Sequence, residues 1–376
     1  MTRIAIVFTN YGPYHLARLR SVHEQCSRIG WEVVGIELAR KQVEYAWKSN
    51  VEGLNFKVVS VIEDQQLEQT KLIHLLQRLY AVLSQLNPEI LVIAGYGRPA
   101  MLATLLWSFW KQKATVLLSE TKKDDVPRFW GRENLKKWLL KWYKAALVGG
   151  QPQRRYLMEL GIPANAIFLG YNVVGNDFYH PIKIRSLPIP LHTSYFLAIN
   201  RFVPKKNLLF LISSYAAYRQ AAGSNAWNLV LCGDGQLRPQ IEKYITDLAL
   251  EDTVHLPGFL QQEELLPYFA HAHCFVHASI QEQWGLVVNE AMAAGLPVLV
   301  SNRCGCFKDL VIEGVNGFGF DPENPQMLTD LMLKMSSEEV NLKAMGEASL
   351  EHIQNFSPDY FAQGLMQAAK YALAHH

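Results

Sequence analysis

Short apolar runs recur along this chain from Ile4 to Phe320, and helical patterns lie between several of them. In the first half, runs at 4–9, 31–36, 56–61, 90–94, 114–119, 145–149 and 166–169 read as strands. Stretches such as 14–29 and 66–86 have helical spacing. The second half repeats the theme with runs at 195–199, 227–232, 253–256, 274–277, 297–300 and 317–320. Strand–helix alternation leads to a parallel, doubly wound sheet covered on both faces. The two halves share this pattern without a visible repeat in sequence.

A chain of 376 residues is long enough for two ordinary domains. With 49% hydrophobic and 19% charged residues it can bury large cores, which argues against disorder. A linker is expected at 179–193, where Pro181, Pro188 and Pro190 cluster and periodicity is lost. That places one domain at 1–178 and a second at 194–356. The segment 357–376 reads as one helix, with Ser357 at the N-cap and Pro358 at the first helical position.

The start of the chain reads as a first strand and not as a secretory signal. The longest apolar run, 99–110, falls short of the roughly 20 residues that span a bilayer. Five scattered cysteines argue against a disulfide framework and fit a reducing cytoplasm. Cys304-Gly305-Cys306 lacks the second pair that a zinc knuckle needs, and reads as a turn. The net charge of +2 conceals an asymmetry. Residues 1–185 carry 25 Lys+Arg against 15 Asp+Glu, and residues 186–376 carry 11 against 19. A basic first half favours an anionic surface or acceptor, although solvated charged faces would give the same bias. The segment 128–144 is both basic and aromatic at helical spacing. It could lie on an anionic membrane, with Trp107 and Trp110 assisting. Alternatively, its Trp and Leu pack on the sheet while its Lys face water. No nucleic-acid-binding motif accompanies the charge.

The chemistry is concentrated in Glu282-Gln283-Trp284-Gly285-Leu286-Val287-Val288-Asn289-Glu290, which continues to Gly295-Leu296-Pro297. Glu282 lies in a loop before a helix and can accept from sugar hydroxyls. The N–H groups around Gly285, Leu286 and Val287 have no intrahelical partners and suit a phosphate. Glu290, about a turn further on, could accept from ribose hydroxyls. Two solvated glutamates on an amphipathic helix are the plain alternative.

The stretch resembles the E-x7-E signature of retaining, GT4-type glycosyltransferases. The resemblance implies a GT-B architecture: two Rossmann-like parallel-sheet domains facing a cleft, with a C-terminal helix crossing back to the N-terminal domain. Residues 1–178 would bind the acceptor and 194–356 the nucleotide sugar. Asn200-Arg201 through Lys206-Asn207 resembles the family's G-R-L-x-x-x-K-G loop, with Asn in place of both glycines. Asn tolerates left-handed geometry. Arg201 and Lys206 would stabilise charge growing on the leaving β-phosphate. Gly233, in Gly233-Asp234-Gly235, matches a turn beside the nucleotide. Gly258-Phe259 matches a loop against the base, and Ser279 a strand end that usually reads Pro-Ser. Trp284 falls within the donor signature.

After the first strand, Gly12 could permit close phosphate approach, and Tyr14 and His15 could line an acceptor pocket or pack under the loop. Absence of a GxGxxG fingerprint disfavours a dinucleotide cofactor. Many family members place a histidine after the strand at 114–119. Here Ser119-Glu120 stands instead. Glu120 is a candidate for acceptor binding or deprotonation, with a salt bridge to Lys122 or Arg128 as the alternative. Asp124-Asp125 is not a metal-binding DxD.

The resemblance implies retaining transfer of a hexose from a nucleoside diphosphate sugar to an acceptor hydroxyl. It implies no cofactor and no metal. The location would be cytoplasmic, with the inner face of a membrane as a candidate surface. A sugar-nucleotide epimerase of the same architecture, or a noncatalytic membrane-surface binding protein, are the rival readings.

Overall fold

The computed structural model describes residues 1–41, 54–125 and 127–376. The chain divides into two compact units, one of Met1–Gly175 with Phe356–His376, the other of Asn176–Asn355.

The first unit contains seven strands: β1 (Arg3–Phe8), β2 (Glu32–Lys41), β3 (Lys57–Gln66), β4 (Ile90–Ala94), β5 (Ala114–Ser119), β6 (Ala145–Val148) and β7 (Ile167–Leu169). They form one sheet in the order β3-β2-β1-β4-β5-β6-β7, parallel throughout. Its helices are α1 (Pro13–Arg28), α2 (Leu72–Leu86), α3 (Pro99–Trp110), α4 (Trp130–Leu140) and α5 (Gln151–Glu159). Alternation along β1 shows why both faces are covered. Ile4, Ile6 and Phe8 join one core, whereas Ala5 and Val7 join the other, packed with Leu75, Leu79 and Leu83 of α2.

The second unit contains β8 (Tyr195–Ile199), β9 (Asn228–Cys232), β10 (Val254–Gly258), β11 (Cys274–His277), β12 (Val298–Ser301) and β13 (Gly317–Phe320). Their order is β10-β9-β8-β11-β12-β13, again parallel. Its helices are α6 (Asn176–Tyr179), α7 (Pro181–Ile184), α8 (Leu208–Ala222), α9 (Arg238–Asp247), α10 (Gln262–His271), α11 (Leu286–Ala293), α12 (Phe307–Leu310), α13 (Pro325–Met335) and α14 (Leu342–Ile353). The strand order reverses between β8 and β11. In open parallel sheets the loops beyond the carboxyl ends at such a switch point form the ligand crevice.

The last helix, α15 (Pro358–Ala374), belongs to the first unit. Phe361, Leu365, Ala368, Ala369 and Ala372 are fully buried among the strands and α1. Gly364 permits the approach: a Cβ there would lie 2.1 Å from the Leu169 carbonyl oxygen. Asp359 is fastened to Ser21 of α1 by a hydrogen bond from the serine hydroxyl.

Two expectations change. The segment 179–193 is not a plain tether, because Tyr179 ends α6 and Pro181–Ile184 is helical. Tyr179 and Ile184 are each 1% exposed, so the start of this segment is part of the second unit's packing. Of the three prolines only Pro181 starts a short helix, whereas Pro188 and Pro190 lie outside any helix or strand. The helix expected from 66 begins at Leu72. Residues 57–66 stay in β3, paired as far as Lys41↔Gln66 beyond a register shift in β2, and a single 3-10 turn (Leu67–Gln69) follows.

Candidate active site

Four loops at the carboxyl ends of the second sheet are laced together by backbone bonds. Asn200 N–H donates to Cys232 (3.0 Å) and Phe202 N–H to Asp234 (2.8 Å). Gly233 N–H donates to Gly258 (2.7 Å), and Ile280 N–H to Lys205 (3.0 Å). Gly233, with φ +130°, is required by this lacing: a Cβ would sit 1.8 Å from the Asn200 carbonyl oxygen. The close approach that Gly233 permits is made by the chain's own backbone at Asn200. Asn207 takes left-handed geometry (φ 57°) and starts α8. Asn200 does not. Its amide is buried, 7% exposed, and neither end has a protein partner.

The loops after β8 and β11 bring Lys206, Ser279 and Glu282 together. Lys206 Nζ donates to the Glu282 carboxylate, Ser279 Oγ lies 3.4 Å from it, and His277 Nε2 lies 3.5 Å from it. Ser279 and His277 are fully buried. Burial opposes the charge on Glu282. The hydrogen bond from His277 and the Lys206 charge outweigh burial and hold the carboxyl well below the usual range. Burial, with Lys206, lowers the His277 pKa against the pull of Glu282. A neutral His277 can donate from Nε2 to this carboxylate. Arg201 is exposed at the rim of the same loop.

Gly285 begins α11 at φ +108°, a conformation that side chains rarely adopt. A Cβ there would stand 3.4 Å from His277 Nε2 and 3.5 Å from Glu282 Cγ. The first N–H groups of α11, at Leu286 and Val287, therefore open beside the Lys206–Glu282 pair. Glu282 itself is anchored through its carbonyl, which accepts from Gly305 N–H at 3.1 Å. The Cys304-Gly305-Cys306 segment is a turn that supports this loop, with both thiols buried and unbridged. Among the described residues no group of three His, Cys, Asp or Glu could hold a metal.

Two donor candidates are buried and hydrogen-bonded within the unit. Trp284 is 2% exposed, and its indole N–H donates to Asn289 Oδ1 at 2.8 Å, so the ring braces α11. Glu290 is 3% exposed and accepts from the Tyr179 hydroxyl at 2.7 Å. It is held inside the unit, not solvated. Phe259 is half exposed beside Gly258, whose φ is +91°. Asn200, His277 and Tyr179 were not among the sequence candidates. Their only signals were adjacency to Arg201, to Ser279 and to the proline cluster.

In the first unit, Gly12 precedes α1 in extended geometry (φ −78°, ψ 177°). A Cβ there would meet nothing within 4 Å, so packing does not demand glycine. His15 stacks on Phe8 at 4.1 Å, and burial together with nearby Arg18 lowers its pKa to about 3. Tyr14 is half-buried on the same turn. Arg18, 1% exposed, donates to the Val173 carbonyl at 2.9 and 3.1 Å and lies over the Tyr171 ring. The charge of Glu120 reaches both Arg18 and Tyr171. Lys122 pairs with Asp124 at 2.9 Å, and Arg128 donates to the carbonyls of Lys122 and Lys123. His15, Arg18 and Glu120 thus gather at the carboxyl ends of β1 and β5.

Residues 180–352 match the family model described as glycosyl transferases group 1. Over this segment the chain is similar to the group 1 glycosyl transferases. The group 1 segment contains the Lys206–Glu282 pair and all of α11. Over 187 residues the chain is 28% identical to D-inositol 3-phosphate glycosyltransferase of Corynebacterium glutamicum (strain R), covering 49% of this chain and 44% of that protein. Over 233 residues it is 28% identical to amylovoran biosynthesis glycosyltransferase AmsK of Erwinia amylovora, covering 60% and 53%. The chain spans about half the length of the curated relatives it matches. The crystal structure of Anabaena Alr3699/HepE in complex with UDP and glucose superposes with a TM-score of 0.76. It is 18% identical and covers 98% of this chain and all of that one. That likeness shows the GT-B fold.

Proposed function

We propose that the chain is a retaining glycosyltransferase that moves a hexose from a nucleoside diphosphate sugar to an acceptor hydroxyl of a small molecule, lipid or glycan. The observation that carries this reading is the meeting of Lys206, Glu282 and the start of α11 at the β8/β11 switch point. A diphosphate is the ligand that suits a helix N-terminus flanked by Lys206 and Arg201. Lys206 has three donors and gives one to Glu282, which leaves two for a phosphate. A UDP sugar is favoured, since the superposing Anabaena protein carries UDP and glucose. Asn200 has an unpartnered amide, and Phe259 a half-exposed ring, at the loops where base and ribose would lie.

As the glycosidic bond breaks, charge develops on the leaving β-phosphate, and Arg201 and Lys206 oppose it more strongly than in the ground state. Cationic side chains do this work without a metal. Glu282, whose basicity is depressed, is a poor nucleophile and a good acceptor of sugar hydroxyls. This favours front-face attack with retention, the acceptor proton leaving toward the donor phosphate, over a covalent glycosyl-enzyme. Glu120, Tyr14 and His15 form the acceptor side, with His15 neutral at physiological pH. The expected location is the cytoplasm. No helix among the described residues is long and apolar enough to cross a membrane.

Hydrolysis of UDP, GDP and ADP sugars, screened in parallel with mass analysis of the products, tests the reading. Release of nucleoside diphosphate and sugar from one donor class supports it. Release of an epimerised sugar identifies an epimerase, and no turnover or binding of any donor contradicts both.

A further inference from the structure

Asn200 and Asn207 both stand where the G-R-L-x-x-x-K-G loop has glycine, and the fold accounts for only one of them. Asn207 takes left-handed geometry, and its Nδ2 donates to the Pro322 carbonyl at 2.9 Å. Asn200 has neither reason. Its φ is not positive, so the backbone there does not ask for a glycine-like residue. Among the described residues neither Nδ2 nor Oδ1 has a hydrogen-bond partner, although the residue is 7% exposed.

The second unit treats its other buried asparagines differently. Asn316 donates from Nδ2 to the Leu310 carbonyl at 2.9 Å and accepts at Oδ1 from Ile312 N–H at 2.8 Å. Asn289 accepts from the Trp284 indole, and Asn176 donates to the Ile353 carbonyl at 2.9 Å. A buried amide left unmet destabilises the protein that carries it, so its presence calls for a cause other than packing. Its place in the fold supplies one. Asn200 immediately follows β8 at the switch point, and its carbonyl abuts Gly233, whose N–H donates to Gly258 beside the half-exposed Phe259. It therefore stands toward the β9 and β10 loops, whereas Lys206 turns to Glu282 in the β11 loop.

The chemistry of the side chain narrows the ligand. A primary amide offers an acceptor oxygen and two N–H donors. A phosphate oxygen serves the N–H end alone and leaves Oδ1 facing an anion. A base edge that carries N–H beside C=O serves both ends, and so does a ribose hydroxyl. Because no internal bond holds the amide, turning it toward a ligand breaks none. We propose that the Asn200 side chain binds the nucleoside part of the donor, a contact that glycine at this position cannot make. The inference rests on the nucleotide-sugar reading above and adds a residue that contributes to the choice of nucleotide.

Isothermal titration of UDP, 2′,3′-dideoxy-UDP and inorganic pyrophosphate into the parent and Asn200→Ala tests it, together with thermal melts of the free proteins. Asn200→Ala should bind UDP about tenfold more weakly and pyrophosphate as the parent does. A loss that persists with 2′,3′-dideoxy-UDP assigns the base edge, and a loss that vanishes assigns a ribose hydroxyl. Asn200→Leu has the branching of asparagine without its polar atoms, so it should melt at or above the parent's temperature. Unchanged UDP affinity in Asn200→Ala, or equal losses for UDP and pyrophosphate, overturns the assignment. So does a melting temperature several degrees below the parent's in both variants, which would mark the amide as an internal brace. A parent that binds no UDP contradicts the nucleotide-sugar reading itself, whereas binding that Asn200→Ala fully retains contradicts only the Asn200 contact.

Discussion

Lys206 and Glu282 form an ion pair beside the start of α11, and each makes a separate prediction. Lys206→Ala removes a group whose charge counts most when the β-phosphate departs. Its kcat should fall by about 10²–10³, the scale for losing one charge-stabilising group. Steady-state donor hydrolysis measures this, and parent-like turnover would reject the role. Glu282 predicts a pH effect on stability. Its folded pKa lies below the ordinary carboxylate value of about 4.3, so its stabilisation is complete above that pH and is lost as pH falls below it. The gap in melting temperature between the parent and Glu282→Gln should therefore be widest near pH 7 and narrow toward pH 3. A gap that stays constant would contradict the assignment. Residue identities were partly legible: Arg201, Lys206, Ser279, Glu282 and Gly285 stand in a recognisable string. Trp284 and Glu290 stand beside Glu282 and Gly285 in the same string, yet both are buried and bonded to Asn289 and Tyr179. Spacing in sequence cannot report such partners, least of all one 111 residues away.

At the scale of elements, the site is positioned by loops that touch through their backbones. Gly233→Ala would press a methyl against the Asn200 carbonyl, 1.8 Å away, at a left-handed φ. The loop carrying Arg201 must then shift. Strained backbone costs about 1–3 kcal/mol before the clash is counted, so the second unit should melt at least several degrees lower. Gly12→Ala serves as the contrast, since its Cβ meets nothing and its φ is ordinary. Differential scanning calorimetry of both variants checks the pair. A destabilised Gly12→Ala with an unaffected Gly233→Ala would reverse the argument. Strand positions were legible because buried parallel strands are apolar on both faces. The run at 56–61 was cut short because β3 continues through the charged Glu63 and Asp64, which face solvent. Helix α7 was obscured by prolines read as linker signals, although Pro181 occupies the first helical position, which tolerates proline.

Across the whole molecule, the two sheets share the order of a doubly wound fold, and the chain's last helix completes the first unit instead of the second. Deleting residues 356–376 would strip Phe361, Leu365 and Ala368 from the core beside α1. The truncated chain should lose the first unit's cooperative unfolding transition and aggregate, as read by calorimetry and size-exclusion chromatography. A soluble truncation with both transitions intact would contradict this packing. The strand–helix alternation made this architecture legible. The charge asymmetry pointed to a basic first half, but the exposure of Trp110, Trp130 and Trp138 was not legible from it.

In the proposed function the loops after β8 and β11 bind a nucleoside diphosphate through Lys206, Arg201 and the start of α11. Isothermal titration of UDP into the parent, Lys206→Ala and Arg201→Ala measures it directly. Saturable one-to-one binding to the parent, weakened at least tenfold in each variant, is the predicted result. No binding to the parent, or equal affinity in all three proteins, would contradict it.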